Sequence, residues 1–282
     1  NFTMYKFDIE IPKEVITEKK HDEIDFSLLE NMIIIGLMGY AKSGKDFIAK
    51  TFIDDYGYQR VAFADNIKKE MNLYLKASVY KDVLSRDFSF SWGQYGINSF
   101  NDIDFFTENL ELKKIIRPYI MWYGETLRDI NGKFYWINKA FSEDAKDMDK
   151  VVLSDVRRVA ELDIFRNSNE FNKRELKSLT ESGASSSAEF KTNNFSTLLF
   201  EVSQKNLIDN DVLTTDTIRV ANEDWIVDDK FFVNPSIPGE KNYRTKAMLQ
   251  QIKKVTTKFG IEKPKTWSYE QKDIFQEIKE NN

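Results

Sequence analysis

The sequence predicts a three-layer α/β fold, a mostly parallel sheet of about five strands with helices on both faces. Three observations lead there. An apolar run, Ile33-Ile-Ile-Gly-Leu-Met38, passes directly into a glycine-bounded segment, Gly39 to Lys45, and then into a helical pattern carrying Phe47, Ile48, Phe52 and Ile53. Further short apolar runs alternate with longer helical patterns, as βαβ units require. One of them, Lys150-Val-Val-Leu-Ser-Asp155, ends in an acid where a strand gives way to a helix. In such a fold a ligand is expected beyond the carboxyl ends of the strands.

Each element follows from its residues. Met32–Met38 is the first strand, uncharged and rich in β-branched residues, as a strand buried on both faces should be. A helix follows from about Gly44 to Asp54, then a second strand at Tyr58–Phe63. Asp65 stands where it can cap a helix running from Asn66 to about Leu84, with Ile67, Met71, Leu75 and Val79 on one face. Residues 85–108, mixing Ser, Asn, Gly and aromatics, read as an irregular insertion. Leu110–Ile130 is helical in pattern and interrupted by Pro118. Lys133–Lys146 is a helix with Phe134, Ile137 and Phe141 on one face, Lys150–Asp155 a buried strand, and Arg157–Arg166 a helix.

Residues 168–194 contain Ser182-Gly-Ala-Ser-Ser-Ser-Ala188, the composition of a mobile loop. Thr197–Val202 is a strand, 203–224 a polar flap and Trp225–Val233 the last strand. Asn234–Glu240 is a Pro/Gly loop, Asn242–Phe259 a helix, and Tyr269–Glu280 a final short helix. The expected organisation is an N-terminal extension, 1–30, and one domain, 31–282, with insertions at about 85–108 and 168–194.

Composition narrows the function. The 282 residues can bury a sizeable core, and 41% of them are hydrophobic, with 22 Phe. There is no cysteine, which excludes disulfides and thiolate zinc sites. The single histidine, His21, lies in a Lys/Asp/Glu-rich stretch and reads as a solvated surface residue. A net charge of −5 gives no footprint for nucleic acid. No apolar run is long enough for a membrane span and no signal peptide is visible, so a soluble, cytoplasmic protein is expected.

The chemistry concentrates at the glycine-bounded segment. Gly39, Tyr40, Ala41, Lys42, Ser43, Gly44 and Lys45 fit G-x-x-x-x-G-K, the Walker A phosphate loop, or P-loop. Its backbone N–H groups and the helix N-terminus attract phosphate, and Lys45 would reach the β- and γ-phosphates of ATP. Asp46 occupies the place where Ser or Thr usually offers a hydroxyl to magnesium. Asp155, closing its strand, is a second candidate for the metal site, or a helix cap. Arg117, Arg128, Arg157 and Arg158 lie near element ends, where planar cations could stabilise phosphoryl charge or simply be solvated.

Four ordered segments resemble the phage deoxynucleoside monophosphate kinases, a P-loop kinase family related to animal-type phosphomevalonate kinases. Gly39-Tyr-Ala-Lys-Ser-Gly-Lys-Asp46 resembles their phosphate loop, which ends in Ser-Gly-Lys-Asp. Val61-Ala-Phe-Ala-Asp65-Asn-Ile-Lys68 resembles a Phe-Ala-x-x-Asp-Pro-hydrophobic-Lys stretch. Arg117-Pro-Tyr-Ile-Met-Trp-Tyr-Gly124-Glu-Thr-Leu-Arg128, with Tyr135-Trp136 after it, resembles Arg-x-x-x-Gln-x-x-Gly-Thr-Glu-x-x-Arg followed by Trp. Val151-Val-Leu-Ser-Asp155-Val-Arg157-Arg158 with Glu161 resembles the Asp-x-Arg strand end. The likeness covers about 32–166 well and 195–255 loosely. Met121 stands at the Gln position, Glu125-Thr126 reverses the Thr-acid order, 168–194 is inserted, and Ser203-Gln204-Lys205 replaces an arginine-bearing stretch.

The resemblance implies ATP-dependent phosphoryl transfer to a (deoxy)nucleoside 5′-monophosphate, with ATP and Mg²⁺ as cofactors. Lys45, Arg128, Asp155 and Arg157 would be catalytic, and the 39–46 loop would bind ATP. Asp65, Lys68, Arg117 and Arg128 would face the acceptor, and Asp46 and Asp155 the metal. Base and sugar are left open, as is a homodimer. Transfer to another small phosphorylated metabolite, or nucleotide binding without transfer, are the alternatives.

Overall fold

The computed structural model describes residues 6–40, 43–86, 91–168, 194–204, 227–233 and 241–264. Five strands, β1 (Ile33–Met38), β2 (Gln59–Val61), β3 (Lys150–Leu153), β4 (Ser196–Gln204) and β5 (Asp229–Val233), form one sheet in the order β2-β3-β1-β4-β5. Every pair is parallel, with Ile34 opposite both Val151 and Thr197, and Val61 opposite Leu153. β1 is central, so the segment leaving it emerges between the ends of β3 and β4.

Strand alternation divides the core into two layers. Ile34 and Met38 of β1, Val151 and Leu153 of β3 and Leu199 of β4 face one side. There they meet α2 (Phe63–Tyr74), α3 (Lys76–Arg86), α4 (Leu110–Asn131), α5 (Tyr135–Lys139) and α6 (Val159–Arg166). Ile35, Leu37, Val152, Phe200 and Val202 face the other side, against α1 (Lys45–Tyr56) and α7 (Lys241–Lys258). Phe52 of α1 is fully buried and stacks at 6.3 Å on Phe200, burial that stabilises by about 2–3 kcal/mol. The expected three-layer α/β fold with a five-stranded parallel sheet is present. Among the described residues no helix is long and apolar enough to cross a membrane.

Several expectations change in detail. The helix read from Asn66 to Leu84 is two helices, α2 and α3, divided at Leu75. Met71, Leu75, Val79 and Val83 are all buried, so the apolar stripe runs unbroken across a backbone break. Asp65 does not cap α2. The helix starts at Phe63 with Ala62 at its N-cap, which places Asp65 in the first turn. Pro118 does not interrupt α4, which is continuous from Leu110 to Asn131. The buried stripe of Leu112, Ile116, Tyr119, Tyr123 and Leu127 holds the helix through the lost N–H. The helix expected to reach Lys146 is α5 followed by a π turn, Ala140–Asp144, closed by Ala145 N–H donating to Ala140 O at 3.0 Å.

The N-terminal extension is a strap laid on the helical layer. Val15, Ile24 and Leu29 are buried, and Phe7 stacks at 4.0 Å on Tyr119. Two buried asparagines fasten it. Asn131 accepts from Thr17 N–H at 3.0 Å and donates to Val15 O at 2.7 Å, and Asn138 accepts from Asp25 N–H at 2.9 Å and donates to Glu23 O at 2.9 Å. His21 is consequently half-buried rather than solvated. Its backbone passes so close to Gly132 that a Cβ there would sit 2.7 Å from it, and burial lowers its pKa. Of the segment 85–108, Ser85 and Arg86 end α3, residues 87–90 lie outside the described residues, and the rest carries short 3₁₀ turns at Trp92–Tyr95 and Phe100–Asp102. The greater part of the 168–194 loop and of the 203–224 flap, and all of the 234–240 loop and the 269–280 helix, lie outside the described residues.

Candidate functional site

The site begins where β1 ends. Gly39 has φ of 147° and lies against β4, where a Cβ would come within 2.2 Å of the Val202 carbonyl oxygen. Only glycine fits this approach. The loop turns back through Ser43, whose N–H donates to Tyr40 O at 3.2 Å, and Gly44 is the N-cap of α1. Ala41 and Lys42 lie outside the described residues. The Ser43 hydroxyl is buried without a hydrogen-bond partner, an orphan at the place where an anion would be held.

Lys45 opens α1, yet its side chain turns back over the loop and is only 8% exposed. Nζ donates to the carbonyls of Gly39 at 2.8 Å and Tyr40 at 2.7 Å, and lies 3.8 Å from Asp155 Oδ1. Asp46, in the first turn of α1, is exposed.

The loop after β3 arrives beside Lys45 because Val156 N–H donates to Leu37 O at 3.0 Å. Asp155 Oδ2 pairs with Arg157 Nε at 2.7 Å. The backbone N–H groups of Arg157 and Arg158 both donate to one oxygen, Glu161 Oε2, at 2.6 and 3.0 Å. Burial raises the Glu161 pKa, against the lowering effect of those two bonds. Arg158 reaches on to Glu125 of α4, and Glu125 lies 3.6 Å from Arg128 Nη1. Lys45, Asp155, Arg157, Glu161, Arg158, Glu125 and Arg128 thus form one chain of contacts from the loop to α4.

The remaining sequence candidates are distributed around this chain. Asp65 lies just beyond β2 and accepts from Arg60 Nη1 at 2.7 Å. Lys68, one turn along α2, sits 5.2 Å from the centre of the Phe106 ring. Arg117 is exposed on α4, eleven residues before Arg128, about 16 Å along the helix axis. The two arginines share a helix face but not a location. Arg158 is one of the four arginines that the sequence singles out, whereas Glu125 and Glu161 stand only within the resembling segments, with no role given to them. Glu161 carries a legible signal, an acid three residues after the N-cap Arg158. For Glu125 only the i,i+3 spacing to Arg128 is legible; its other partner, Arg158, is 33 residues away.

Among the described residues no cluster of three or more His, Cys, Asp or Glu could hold a metal ion. Asp46 and Asp155 are carboxylates, oxygen donors of the kind that magnesium takes.

A parallel sheet whose central strand feeds a Gly39–Lys45 phosphate-type loop, with an acid and two arginines on the neighbouring strand end, defines a P-loop-type α/β protein. Comparison with protein-family models and with curated proteins gives no match.

Proposed function

We propose that the protein transfers the γ-phosphoryl group of ATP to the phosphate of a (deoxy)nucleoside 5′-monophosphate, forming the diphosphate and ADP. The observation that supports this most is the contact chain from Lys45 through Asp155 and Arg157 to Arg128. It joins a phosphate-type loop to a second cationic position, as a two-phosphate substrate pair demands.

In this reading the loop N–H groups and the Ser43 hydroxyl hold the ATP phosphates, and Lys45 Nζ exchanges two carbonyl oxygens for phosphate oxygens. Asp46 and Asp155 would hold magnesium, which neutralises phosphate charge when bound. Arg128, with Asp65, Lys68 and Arg117, orients the acceptor. An acceptor phosphate oxygen, already ionised near neutral pH, bonds to the γ-phosphorus as the bridging bond to the β-phosphate breaks, and ADP leaves with the electron pair. No general base is needed. Rate comes from alignment and from Lys45 and the arginines facing the transferring group.

A coupled ADP-release assay with the deoxy and ribo monophosphates tests this. ADP formation that depends on one or more monophosphates is expected. ATP binding with no acceptor-dependent ADP, or transfer only to another small phosphate ester, would replace it.

A further inference from the structure

The strap meets the turn between α4 and α5 at His21. The His21 N–H donates to Asn131 O at 2.6 Å, and its carbonyl accepts from Phe134 N–H at 3.0 Å. It is the chain's single histidine, and its ring packs edge-on against Tyr135 of α5, 5.5 Å between centres.

A buried partner fixes where this ring carries its proton. Asn138 Oδ1 accepts from Asp25 N–H at 2.9 Å, and Nδ2 donates to Glu23 O at 2.9 Å. Both partners are backbone groups, one able only to donate and the other only to accept, so the amide cannot be turned round. The second Nδ2 hydrogen is the one offered to His21 Nδ1, 3.2 Å away. Nδ1 must therefore accept, and the neutral ring carries its proton on Nε2. An imidazolium bears N–H on both nitrogens, so no ring rotation restores an acceptor.

Surrounding charge does not rescue the cation. On the strap itself Lys19 opposes it and Asp22 favours it. The cavity that the ring borders also carries Glu14 and Asp25 of the strap, Lys69 and Glu70 of α2, Lys139 of α5 and Glu143 of the π turn. Lys139 pairs with Glu70 at 2.7 Å and Glu143 at 3.1 Å, and Lys69 pairs with Asp144. Tyr135 is neutral, its pKa raised by burial. Burial, the largest influence, holds the His21 pKa below its ordinary 6.5. The stability this fastening supplies is thus complete above 6.5 and lost as pH falls from there through the lowered value.

We infer that His21 is an acid-released latch: a proton arriving at Nδ1 takes away the acceptor of Asn138, and the strap loosens from the turn between α4 and α5. That turn carries Lys133 O, which accepts from Arg128 Nε at 3.5 Å, so the loosening reaches the candidate site. The latch itself is independent of any phosphoryl transfer.

NMR of the full chain tests it, since one histidine gives one set of imidazole signals. An Nε2–H tautomer at about pH 7.5 and a titration midpoint below 6.5 are expected. Hydrogen exchange of the Thr17, His21 and Asp25 amides, which all donate into Asn131 or Asn138, reads the strap. Corrected for its intrinsic pH dependence, their exchange should quicken about threefold or more between pH 7.5 and 5.5. His21→Asn offers an acceptor oxygen near the place of Nδ1 and does not titrate, so it should lack this change. An Nδ1–H tautomer, a midpoint at or above 6.5, or equal quickening in His21→Asn would each overturn the latch. The imidazole signals of the unmutated chain decide the first two even if the variant does not fold.

Discussion

Two polar regions of this protein are built on opposite principles. Around the phosphate loop the charged groups are partly open, Asp155 at 40% and Arg157 at 31% exposure, and Lys45 spends its hydrogen bonds on loop carbonyls. Between α2, α4 and α5 the charges are closed in. Glu70, 7% exposed, accepts from Tyr123 OH at 3.0 Å and Tyr135 OH at 2.9 Å and pairs with Lys139 at 2.7 Å. Burial and the Glu70 carboxylate raise the pKa of both tyrosines. Burial alone would lower the Lys139 pKa, but its bond to Glu70 outweighs that and raises it. The first region holds groups able to change partners, as a site needs. The second holds groups whose partners are settled, so its contribution is to stability.

That contrast says where a substitution should act. The largest effect is expected for Lys45→Ala, a fall in turnover of about 100-fold or more, roughly 3 kcal/mol of transition-state stabilisation. Coupled ADP release beside a melting curve measures it. A folded variant with near wild-type rate would remove the loop from the chemistry.

Glu70→Leu should instead cost folding stability, about 3 kcal/mol, because Lys139 and two tyrosine hydroxyls lose a buried partner. Denaturant unfolding reads this directly. A loss of only a few tenths of a kcal/mol would mean that the cluster behaves as a surface pair and that the contrast between the regions is false.

Arg128→Ala sharpens the comparison within the site. We expect kcat/KM for the monophosphate to fall about 10- to 100-fold, as when a charged hydrogen bond is lost, with a much smaller change in ATP affinity. Equal losses in both would make Arg128 a support of the network rather than a contact to the acceptor.

The smallest effect is a pH dependence at Glu161. Its carboxyl pKa is raised in the folded state, so the fold binds that proton more tightly than the unfolded chain does. The resulting stability is complete below the unfolded value, near 4.5, and is lost as pH rises from there through the raised value. Each unit of separation is about 1.4 kcal/mol. Both backbone N–H groups use one oxygen, so Glu161→Gln can keep them. The variant's melting temperature should lack this decline above pH 4.5, and parallel profiles would show that Glu161 does not titrate there.

The sequence alone determined the layers and the loop. Ile33–Met38, Val151–Leu153 and the glycine-bounded turn are local patterns, and a strand–loop–helix places its own glycines and lysine whatever surrounds it. Lys45, Asp155 and Arg157 could be selected for the same reason, since each closes or opens an element that βαβ order sends to one end of the sheet. Periodicity could not show the break at Leu75, because the buried stripe is continuous on both sides of it. Nor could it reveal the strap, whose fastening bonds join residues 113 to 116 apart, or Glu125 as the link between Arg158 and Arg128. Those partners are chosen by which helices the sheet order brings side by side. A buried amide or carboxylate takes whatever complementary group packing places within about 3 Å, and only the tertiary structure decided which group that is.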